Sequence, residues 1–518
     1  MLLYYCMEQY MKSSSLIYVL IIILSIFIGV ITRIQLYDKY NIASGDSLEH
    51  YYNMRKNYDN KEFPVMGVYL VSPRLLIGSE SVYEENVPRI PGGLFYLQYS
   101  VLYFLSGENI DIARLLNYIL ITTSPLVFLI FILKKFGLKI MSIITSILFV
   151  NATFLHFQNE IYNPDTVFIL SFLSITLILI YISSDNKASY IASIFIFPVL
   201  ALEAMCHIAV FFSIVPAFII YLIIRRKRTK QYLVPLSIGV LISFLLYVPY
   251  IVYEISNGFP NLMNIVYAKN SVKSIIQPPQ IWSILFFPTN EPNHNYGNEA
   301  AAIFTHWFNG DIKLVFSFIF YIISVLIGLL SFVFFISDLF RKKLNDSNDL
   351  IFKESAIIYF VYIIATIIIF MILNLGSGRP RYFYNIYPFT FIPIIYFLKK
   401  IENKKLFNFA VVFAIMNLFA VNIQLYDEYK NNKDIGWNFM QPHIESIIKD
   451  SNTNSFNLYD SDQYSYVLMK IENPNFKLDT NSNIRYSIIK PGDTNFNNNM
   501  LIIYSNEQYI TYKEEITN

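Results

Sequence analysis

Long apolar runs alternate with short polar connections along most of the chain. A helix of about 17–24 apolar residues crosses a hydrocarbon core roughly 30 Å thick, and the runs have this length. The run 188–224 would extend about 55 Å as a single helix, so we divide it at Glu203–His207. The pattern predicts eleven transmembrane helices, near residues 16–36, 112–133, 140–157, 166–183, 188–203, 207–224, 233–253, 313–336, 355–373, 382–398 and 406–423.

Lysine and arginine residues gather in every second connection between the predicted helices. Basic loops are retained in the cytoplasm, so these connections are assigned to the cytoplasmic side and the others to the outer side. The amino terminus is then predicted to be cytoplasmic and the segment after residue 425 extracytoplasmic. The basic clusters are Lys134/Lys135/Lys139, Arg225–Arg228 with Lys230, Arg341/Lys342/Lys343 and Lys399/Lys400/Lys404/Lys405.

The composition agrees with an integral membrane protein. Hydrophobic residues make up 55% of the 518 residues and charged residues only 15%, which is far from a soluble globular average. The net charge of +2 identifies no partner, because the charge is sorted by side, and no nucleic acid is needed to explain the basic loops. Cys6 lies in the cytoplasmic leader and Cys206 within the membrane, so no disulfide is expected.

Three polar regions lie on the outer side in this topology: 37–111, 254–312 and the tail 426–518. In the first, the apolar stretch Pro91–Leu105 is too short to span comfortably and is predicted to lie along the outer interface as a helix. In the tail, strand-like runs alternate with turn residues, which predicts a small α/β domain. Its predicted elements are a helix at 438–450 and strands at 455–460, 464–471, 485–490 and 499–504.

The expected fold class follows from these patterns. It is an all-α polytopic membrane protein over residues 1–425, with about eleven transmembrane helices, joined to a small C-terminal α/β extracytoplasmic domain over residues 426–518.

Two outer segments carry acidic residues close to the membrane surface. Helical spacing would place Asp46, Glu49 and His50 on one face, just beyond the first span. A glycine before Asp46 and a glutamate three residues after it also suit a helix cap. The two interpretations are compatible, because a capping carboxylate can face a cavity. Asp165 follows Pro164 at the start of the fourth span, again in a cap-like position, and acidic residues at a membrane boundary are often functional.

Arginine residues on the outer side oppose the bias that sets the topology, so topology does not explain them. Arg89 precedes a Pro/Gly-rich turn whose exposed backbone N–H groups favour an anion; contact with lipid head groups is the alternative. Arg379 and Arg381, followed by Tyr382, lie where an outer loop enters the tenth span. Bidentate guanidinium groups suit phosphate or pyrophosphate, and we favour phosphate binding for this pair.

Histidine residues on the outer side do not form a recognisable metal site. His207, His294 and His306 lack the cysteine or carboxylate spacing of a metal centre and are interpreted as packed or solvated. No cofactor is predicted, and a divalent metal ion shared between an acidic residue and a histidine stays open as an alternative.

In this order, the segments resemble the GT-C superfamily of membrane glycosyltransferases, which use polyprenyl-phosphate-linked sugars. The resemblance covers residues 16 to 425 and is to the bacterial relatives of protein O-mannosyltransferases and of the aminoarabinose transferase acting on lipid A. Asp46 matches the catalytic Asp of the family's first outer loop, with Ser47 where the family commonly has Glu. Asp165 matches a second outer acid. The phage-type O-antigen glucosyltransferases have a similar plan.

Two further motifs carry this resemblance. The sequence Pro91-Gly92-Gly93-Leu94-Phe95-Tyr96 keeps the shape of the family's H-P-P or K-P-P-L-x-Y-W motif, with Arg89 as the closest substitute for the missing basic residue. The sequence Arg381-Tyr382-Phe383-Tyr384-Asn385-Ile386-Tyr387-Pro388 matches the family's late R-Y-x-x-x-x-x-P element.

The resemblance implies inverting transfer of a sugar from a polyprenyl-phosphate donor to an acceptor glycan or lipid, with O-antigen or lipopolysaccharide as the expected acceptor. The expected location is the outer face of a bacterial inner (plasma) membrane, and the expected partners are donor, acceptor and membrane lipids. Two alternatives stay open: an O-antigen polymerase or ligase using pyrophosphate-linked glycans, and a polysaccharide transporter or flippase. The residues that the resemblance assigns are Asp46, Glu49 and Asp165 for catalysis and Arg89, Arg379, Arg381 and Tyr382 for the donor phosphate.

Overall fold

The computed structural model describes most of the chain. The described residues are 13–37, 45–70, 88–149, 161–183, 186–267, 326–338, 350–372, 380–401, 408, 412, 437–451, 453–460, 469, 472–473, 475–479, 482–489, 501–505 and 509–515.

Helices dominate the described residues up to Lys400. A two-stranded antiparallel sheet in the first outer loop is the exception; it is formed by β1 (Met66–Tyr69) and β2 (Arg89–Pro91). The α-helices are α1 (Ser13–Tyr37), α2 (Gly45–Asp59), α3 (Leu94–Leu105), α4 (Ile110–Thr123), α5 (Pro125–Phe136), α6 (Leu138–Phe149), α7 (Asn163–Ser183), α8 (Lys187–Cys206), α9 (Ala209–Phe212), α10 (Ile214–Ile224), α11 (Arg226–Gln231), α12 (Leu233–Ser256), α13 (Pro260–Tyr267), α14 (Leu326–Asp338), α15 (Leu350–Ile372) and α16 (Phe391–Lys400).

The chain is a multi-pass membrane protein. Large apolar side chains such as Phe27, Phe244 and Val252 remain exposed on the helices, as expected where the surroundings are lipid. Among the described residues, six helical stretches are long and apolar enough to cross a membrane: Leu16–Ile34, Ile110–Phe136, Asn163–Ser183, Lys187–Cys206, Leu233–Ser256 and Leu350–Ile369.

Most of the predicted spans coincide with helices, including the predicted break before α9, where α8 ends at Cys206. The span near 406–423 lies almost wholly outside the described residues. The predicted span 382–398 needs a correction, because a 3₁₀ helix occupies Pro380–Thr390 before α16 begins. Pro388 lies inside this segment and has no N–H to donate to a regular α-helix.

Buried apolar side chains from α5, α6, α7, α8, α10, α15 and the 3₁₀ helix form one continuous core. Helices α8 and α12 approach each other closely, because a Cβ added to Gly239 would lie 2.5 Å from the carbonyl oxygen of Ile194. Small residues allow such close packing between membrane helices.

The C-terminal unit consists of helix α17 (Trp437–Asp450) and a five-stranded sheet. The strands are β3 (Ser455–Asp460), β4 (Lys477–Leu478), β5 (Ile484–Ile489), β6 (Leu501–Ser505) and β7 (Ile510–Glu515), in the order β4-β3-β5-β7-β6. Strand β3 is parallel to β4 and β5, whereas β7 is antiparallel to β5 and β6.

The predicted helix and three of the predicted strands of the tail are confirmed. The predicted strand 464–471 is wrong at Met469, which is helical; its other residues lie outside the described part of the chain. Met469 is completely buried in the core beneath the sheet, and this tertiary packing overrides the local strand preference. Strands β4 and β7 were not predicted.

The C-terminal unit shares its core with the first outer loop. Met440 and Ile444 of α17 belong to the same buried cluster as Tyr51 and Met54 of α2 and Phe95 of α3. Glu472 also lies within electrostatic range of Tyr51 in α2. We call this apolar cluster the outer core.

Candidate functional site

Helix α2 packs against two other elements through one histidine. The His50 side chain is buried, and its ring contacts Phe95 and Tyr96 edge-on, with ring centroids 5.2 and 6.4 Å away. It also stacks on Tyr162 at 6.5 Å. Because Phe95 and Tyr96 belong to α3 and Tyr162 immediately precedes α7, these contacts bring the first outer loop to the start of α7.

A pair of glycines turns the chain from β2 into α3. Gly92 has φ +88°, and a Cβ there would lie 2.6 Å from Cγ of Met205 in α8; a Cβ on Gly93 would lie 1.9 Å from the carbonyl oxygen of Pro64. No larger residue fits at either position without displacing a neighbour, and the backbone of Gly92 favours glycine in any case. The turn is therefore held between α8 and the segment before β1, which fixes where α3 begins.

Strand β2 places Arg89 opposite Tyr69 of β1. The guanidinium carbon of Arg89 lies 3.9 Å from the centroid of the Tyr69 ring, and its Nη2 donates a hydrogen bond to the Tyr69 hydroxyl. Stacking and hydrogen bonding to one ring restrict the planar guanidinium. Among the described residues, Arg89 forms no ion pair with a carboxylate.

Tyr96 lies within electrostatic range of both an acidic and a basic side chain. Burial, and after it the charge of Glu49, raises the pKa of the Tyr96 phenol well above its ordinary value of 10.0, while Arg89 opposes the shift. The phenol therefore stays protonated at neutral pH and can donate a hydrogen bond. Glu49 itself is only 4% exposed, so the acid, the phenol and the guanidinium lie in one largely buried place.

Helix α7 begins against the end of α8. The side-chain amide of Asn163 donates a buried hydrogen bond of 2.8 Å to the carbonyl oxygen of Cys206. The backbone N–H of Asp165 donates to the carbonyl oxygen of Tyr162 at 3.2 Å, which places Asp165 one turn from the ring that stacks on His50. Asp165 is completely buried in the first turn of α7, where the helix dipole favours a carboxylate.

These contacts define a single meeting point of α2, the β2–α3 turn, α7 and α8 on the outer side of the predicted topology. We call it the outer junction. Its residues are Glu49, His50, Gly92, Tyr96, Tyr162, Asp165 and Met205.

The 3₁₀ helix packs beside the outer junction. The ring of Tyr384 stacks on Phe168 with centroids 4.3 Å apart. Phe168 lies three residues after Asp165 in α7, and Tyr384 lies three residues after Arg381 in the 3₁₀ helix. The backbone of Arg381 is thereby held close to the first turns of α7, although its side chain lies outside the described part of the chain.

A buried polar network fixes the 3₁₀ helix to the membrane core. The amide nitrogen of Asn385 donates to Oγ of Ser213 at 2.5 Å, and its amide oxygen accepts from the Tyr362 hydroxyl at 2.8 Å. These bonds satisfy polar groups that would otherwise be costly to bury in an apolar environment. A 3₁₀ segment of this length is uncommon, and such segments often mark functional positions.

The predicted site residues fall into three groups. Glu49, Asp165 and Arg89 are described, and they meet at or beside the outer junction. Asp46 lies in the first turn of α2, one turn before His50, because the helix begins at Gly45. The side chains of Asp46, Arg381 and Tyr382 lie outside the described part, as do His294, His306 and the whole of Arg379.

His207 is a packed residue. It caps α8, its Nδ1 accepts a hydrogen bond from the backbone N–H of Ala209 at 3.2 Å, and burial lowers its pKa to about 4. It is therefore neutral at pH 7. Within the described ranges, no group of three or more histidine, cysteine, aspartate or glutamate residues could hold a metal ion.

Sequence reasoning missed several buried charged side chains within the described spans, among them Arg33 and Glu203. Arg33 in α1 is 2% exposed and donates to the carbonyl oxygens of Gly29 and Phe149 at 3.1 and 2.9 Å. Glu203 in α8 is completely buried and accepts from the Ser174 hydroxyl at 2.9 Å. The available signal was an ionisable residue inside an apolar run, which is rare enough in membrane helices to deserve a functional hypothesis.

No protein-family profile and no curated protein sequence matches the chain. Solved structures, in contrast, match its fold along nearly the whole length. ArnT from Cupriavidus metallidurans, solved in the apo state and bound to undecaprenyl phosphate, aligns over 97% of this chain and 98% of its own, with a TM-score of 0.52 and 11% identity.

An oligosaccharyltransferase from Archaeoglobus fulgidus, tethered to an acceptor peptide containing the NVT sequon, aligns over 87% of this chain and 63% of its own, with a TM-score of 0.51 and 9% identity. ArnT is an aminoarabinose transferase, and both proteins are GT-C glycosyltransferases. The chain therefore shares the fold of these two proteins and has a small C-terminal strand-containing domain, and the predicted fold class is confirmed.

Proposed function

We propose that the protein is a glycosyltransferase that moves a sugar from a polyprenyl-phosphate donor to a hydroxyl group of an acceptor glycan or lipid at the outer face of the membrane. The observation that carries the proposal is the outer junction, where two acid-bearing helices and the Arg89 turn meet. Support comes from the fold, which is shared with a protein solved with undecaprenyl phosphate bound.

In the proposed reaction, the acceptor hydroxyl oxygen attacks the anomeric carbon of the donor sugar. The bond from this carbon to the phosphate oxygen breaks on the opposite side, its electron pair leaves with the polyprenyl phosphate, and the configuration inverts. The hydroxyl proton passes to a carboxylate. Such a base is weak, with an ordinary pKa near 3.9. It suffices because the hydroxyl becomes acidic only while it bonds to a carbon with oxocarbenium character.

We assign the base to Asp46, which lies in α2 one turn before the buried Glu49 and His50. A positioned base contributes about 10²–10⁴-fold in rate, roughly 3–5 kcal/mol. Glu49 and Asp165 are assigned to the outer junction, where the protonated phenol of Tyr96 can donate a hydrogen bond to a sugar or phosphate oxygen.

The leaving phosphate is assigned to the arginine residues. Arg89 is held against Tyr69, with no carboxylate partner among the described residues, and its charge is thus suited to a ligand anion. Arg379, Arg381 and Tyr382 would approach from the 3₁₀ helix and the segment before it. Charge that is already in place where negative charge develops is often the largest part of catalysis.

The first test replaces the proposed base. Asp46→Asn should reduce sugar transfer at least about 100-fold, since the amide cannot accept the proton, while membrane insertion and abundance stay unchanged. Asp59→Asn is the matched control, because Asp59 ends the same helix and is half-exposed in a salt bridge with Arg55; it should keep wild-type activity. Retention of more than about a tenth of wild-type transfer by Asp46→Asn would remove Asp46 from the base assignment.

The second test separates the donor classes. Purified protein in lipid nanodiscs is given a polyprenyl-monophosphate sugar and, separately, a pyrophosphate-linked oligosaccharide with a glycan acceptor. Product from the monophosphate donor alone supports the proposal. Product from the pyrophosphate donor alone would indicate a polymerase or ligase, and uptake without product a transporter.

The acceptor in this proposal is an O-antigen or lipopolysaccharide glycan at the outer face of a bacterial inner membrane. Structural analysis of surface glycans from cells with and without the gene tests this assignment. Loss of one sugar branch from the polysaccharide is the expected result. An unchanged polysaccharide with altered protein glycans would redirect the acceptor to protein.

A further inference from the structure

The outer end of α12 is joined to α13 by an unusually constrained turn. Gly258 and Phe259 have φ +74° and +63°, and the Phe259 backbone N–H donates to the carbonyl oxygen of Glu254 at 2.8 Å. A bulky residue with positive φ is a genuine outlier, and such strain persists only where surrounding contacts determine it. The turn therefore has a fixed shape, and it determines where α13 begins.

The Glu254 carboxylate holds the first turn of α13. It is 4% exposed, and its two oxygens accept hydrogen bonds from the backbone N–H groups of Asn261 at 3.3 Å and Leu262 at 3.0 Å. These are the N–H groups that a helix cannot satisfy internally, and a carboxylate is favoured there by charge as well. Asn261, which is 3% exposed, is thus fixed at its backbone.

The Asn261 side chain then forms two hydrogen bonds with the backbone of Arg89. The Arg89 N–H donates to Oδ1 of Asn261 at 2.7 Å, and Nδ2 of Asn261 donates to the Arg89 carbonyl oxygen at 3.0 Å. The same nitrogen lies 3.1 Å from the Tyr250 hydroxyl. The amide thus takes the place of a neighbouring strand on the edge of β2 that β1 leaves open.

We propose that Asn261 and Glu254 are positioning residues that set the Arg89 guanidinium in place for the donor phosphate. The inference rests on the proposed function, in which Arg89 binds that phosphate. The backbone of Arg89 is fixed by Asn261 and its guanidinium by Tyr69, so little freedom is left to lose on binding. Preorganisation of this kind raises affinity by reducing the entropy lost on association. The second outer loop thereby contributes to a site whose ligand contact comes from the first.

The experiment measures binding of undecaprenyl phosphate to the full chain in nanodiscs. Asn261→Leu removes both backbone contacts and should weaken binding about tenfold, while Asn261→Asp keeps the acceptor for the Arg89 N–H and should show a smaller loss. Asn257→Leu is the control. The Asn257 side chain donates a hydrogen bond to the Tyr253 carbonyl oxygen of its own helix and is exposed, so binding should not change.

A double-mutant cycle with Arg89→Gln distinguishes positioning from general stability. If Asn261 acts through Arg89, Asn261→Leu has no further effect on affinity once Arg89 is replaced, because the two sites are coupled. The same tenfold loss in both backgrounds, or no loss in either, would overturn the inference. The inference would also be overturned if Asn261→Asp, the milder variant, lost affinity only because its melting temperature was lowered.

The outcomes also separate this inference from the proposed function. Wild-type protein that does not bind undecaprenyl phosphate at all would overturn both. Binding that is lost in Arg89→Gln but intact in Asn261→Leu would overturn only the positioning role and leave the proposed function in place.

Discussion

Arg225, at the end of α10 that is predicted to be cytoplasmic, and Arg89, on the predicted outer side, differ in how their guanidinium groups are paired. Arg225 donates from Nε and Nη2 to the two oxygens of Glu354 at 2.7 and 2.8 Å, and the Tyr221 hydroxyl adds a third bond to this carboxylate at 2.8 Å. Arg89 is held just as firmly by Tyr69 and Asn261. Its guanidinium, however, has no carboxylate partner in the described part of the chain.

The difference in pairing indicates that the two arginine residues have different roles. On the predicted cytoplasmic side the basic residues favour one topology, and the buried carboxylate of Glu354 neutralises Arg225. On the outer side, fixing an arginine without neutralising it keeps its positive charge available for an anion, and this arrangement is expected of a binding site. The following predictions compare paired with unpaired charges, beginning with the largest expected effect.

Replacing Arg89 tests the unpaired case. Arg89→Gln should weaken undecaprenyl phosphate binding about 30-fold or more, because truncating one partner of a desolvated charge contact costs roughly 2 kcal/mol at least. The measurement is the dissociation constant in nanodiscs.

Arg55→Gln is the matched control for this prediction. Arg55 also lies on the outer side of the predicted topology, but it is paired with Asp59 at 3.2 Å and bonded to Tyr103 at 2.5 Å. Its replacement should leave binding within about threefold, on the order of 0.7 kcal/mol. Equal losses in the two variants would mean that pairing does not distinguish a ligand arginine from a structural one.

Replacing Arg225 tests the paired case. Arg225→Gln leaves Glu354, whose side chain is 9% exposed, without its bidentate partner. The expected loss is about 1–3 kcal/mol of stability, between the values for exposed and fully buried ion pairs. Thermal unfolding in detergent checks this, and affinity for undecaprenyl phosphate should not change.

Arg226→Gln is the control at the next residue. It removes the same charge from the same loop, but Arg226 is exposed and has no salt bridge among the described residues, so stability should change by about 0.5 kcal/mol at most. If both variants lose equal stability, the cytoplasmic effect comes from the loop's total charge, and the Glu354 pair is irrelevant.

The smallest effect is expected in the C-terminal domain, at a partly exposed pair. Asp450 accepts from Lys513 at 2.9 Å and from the Tyr486 hydroxyl at 2.7 Å, and these two bonds lower its pKa below the ordinary 3.8. A lowered folded-state pKa adds stability above the unfolded value, and this stability is lost as the pH falls through the folded value.

Asp450→Asn should therefore cost up to about 1 kcal/mol at pH 7 and nothing once the pH is well below the lowered pKa. Melting curves of the full chain at both pH values measure the difference. Glu514→Gln on neighbouring β7, which has no salt bridge among the described residues, should show no such pH dependence. A constant difference between wild type and Asp450→Asn at all pH values would exclude the charged pair as its source.

The fold was largely predictable because the lengths of the apolar runs and the positions of the basic loops can be read from local sequence. The length of the run 188–224 alone predicted the break between α8 and α9 at His207. Prediction failed where distant contacts decide. Pro388 and the Asn385 network turn the start of the tenth span into a 3₁₀ helix, and strands β1 and β2 are too short to show a period.

The sequence suggested residues for the candidate site but not the contacts that they make, and their roles stay predictions. Asp46, Arg89 and Asp165 were found from their place at the membrane boundary and from resemblance. No local pattern could show that His50 stacks on Tyr162, or that Asn261 holds Arg89 across 172 positions of sequence. Such pairings depend on the assembled helix bundle, so the residues that position a site are the hardest to identify from a single sequence.

The outer core has a consequence for how the protein is made. Its first members, on α2, leave the ribosome early, whereas Met440 and Ile444 of α17 are synthesised only after the last membrane helix. The apolar surface of the first outer loop is therefore uncovered during most of translation, until the other end of the chain has been synthesised. For the proposed transferase, we expect activity only once α17 has packed against α2, so a polypeptide that ends before α17 should be inactive.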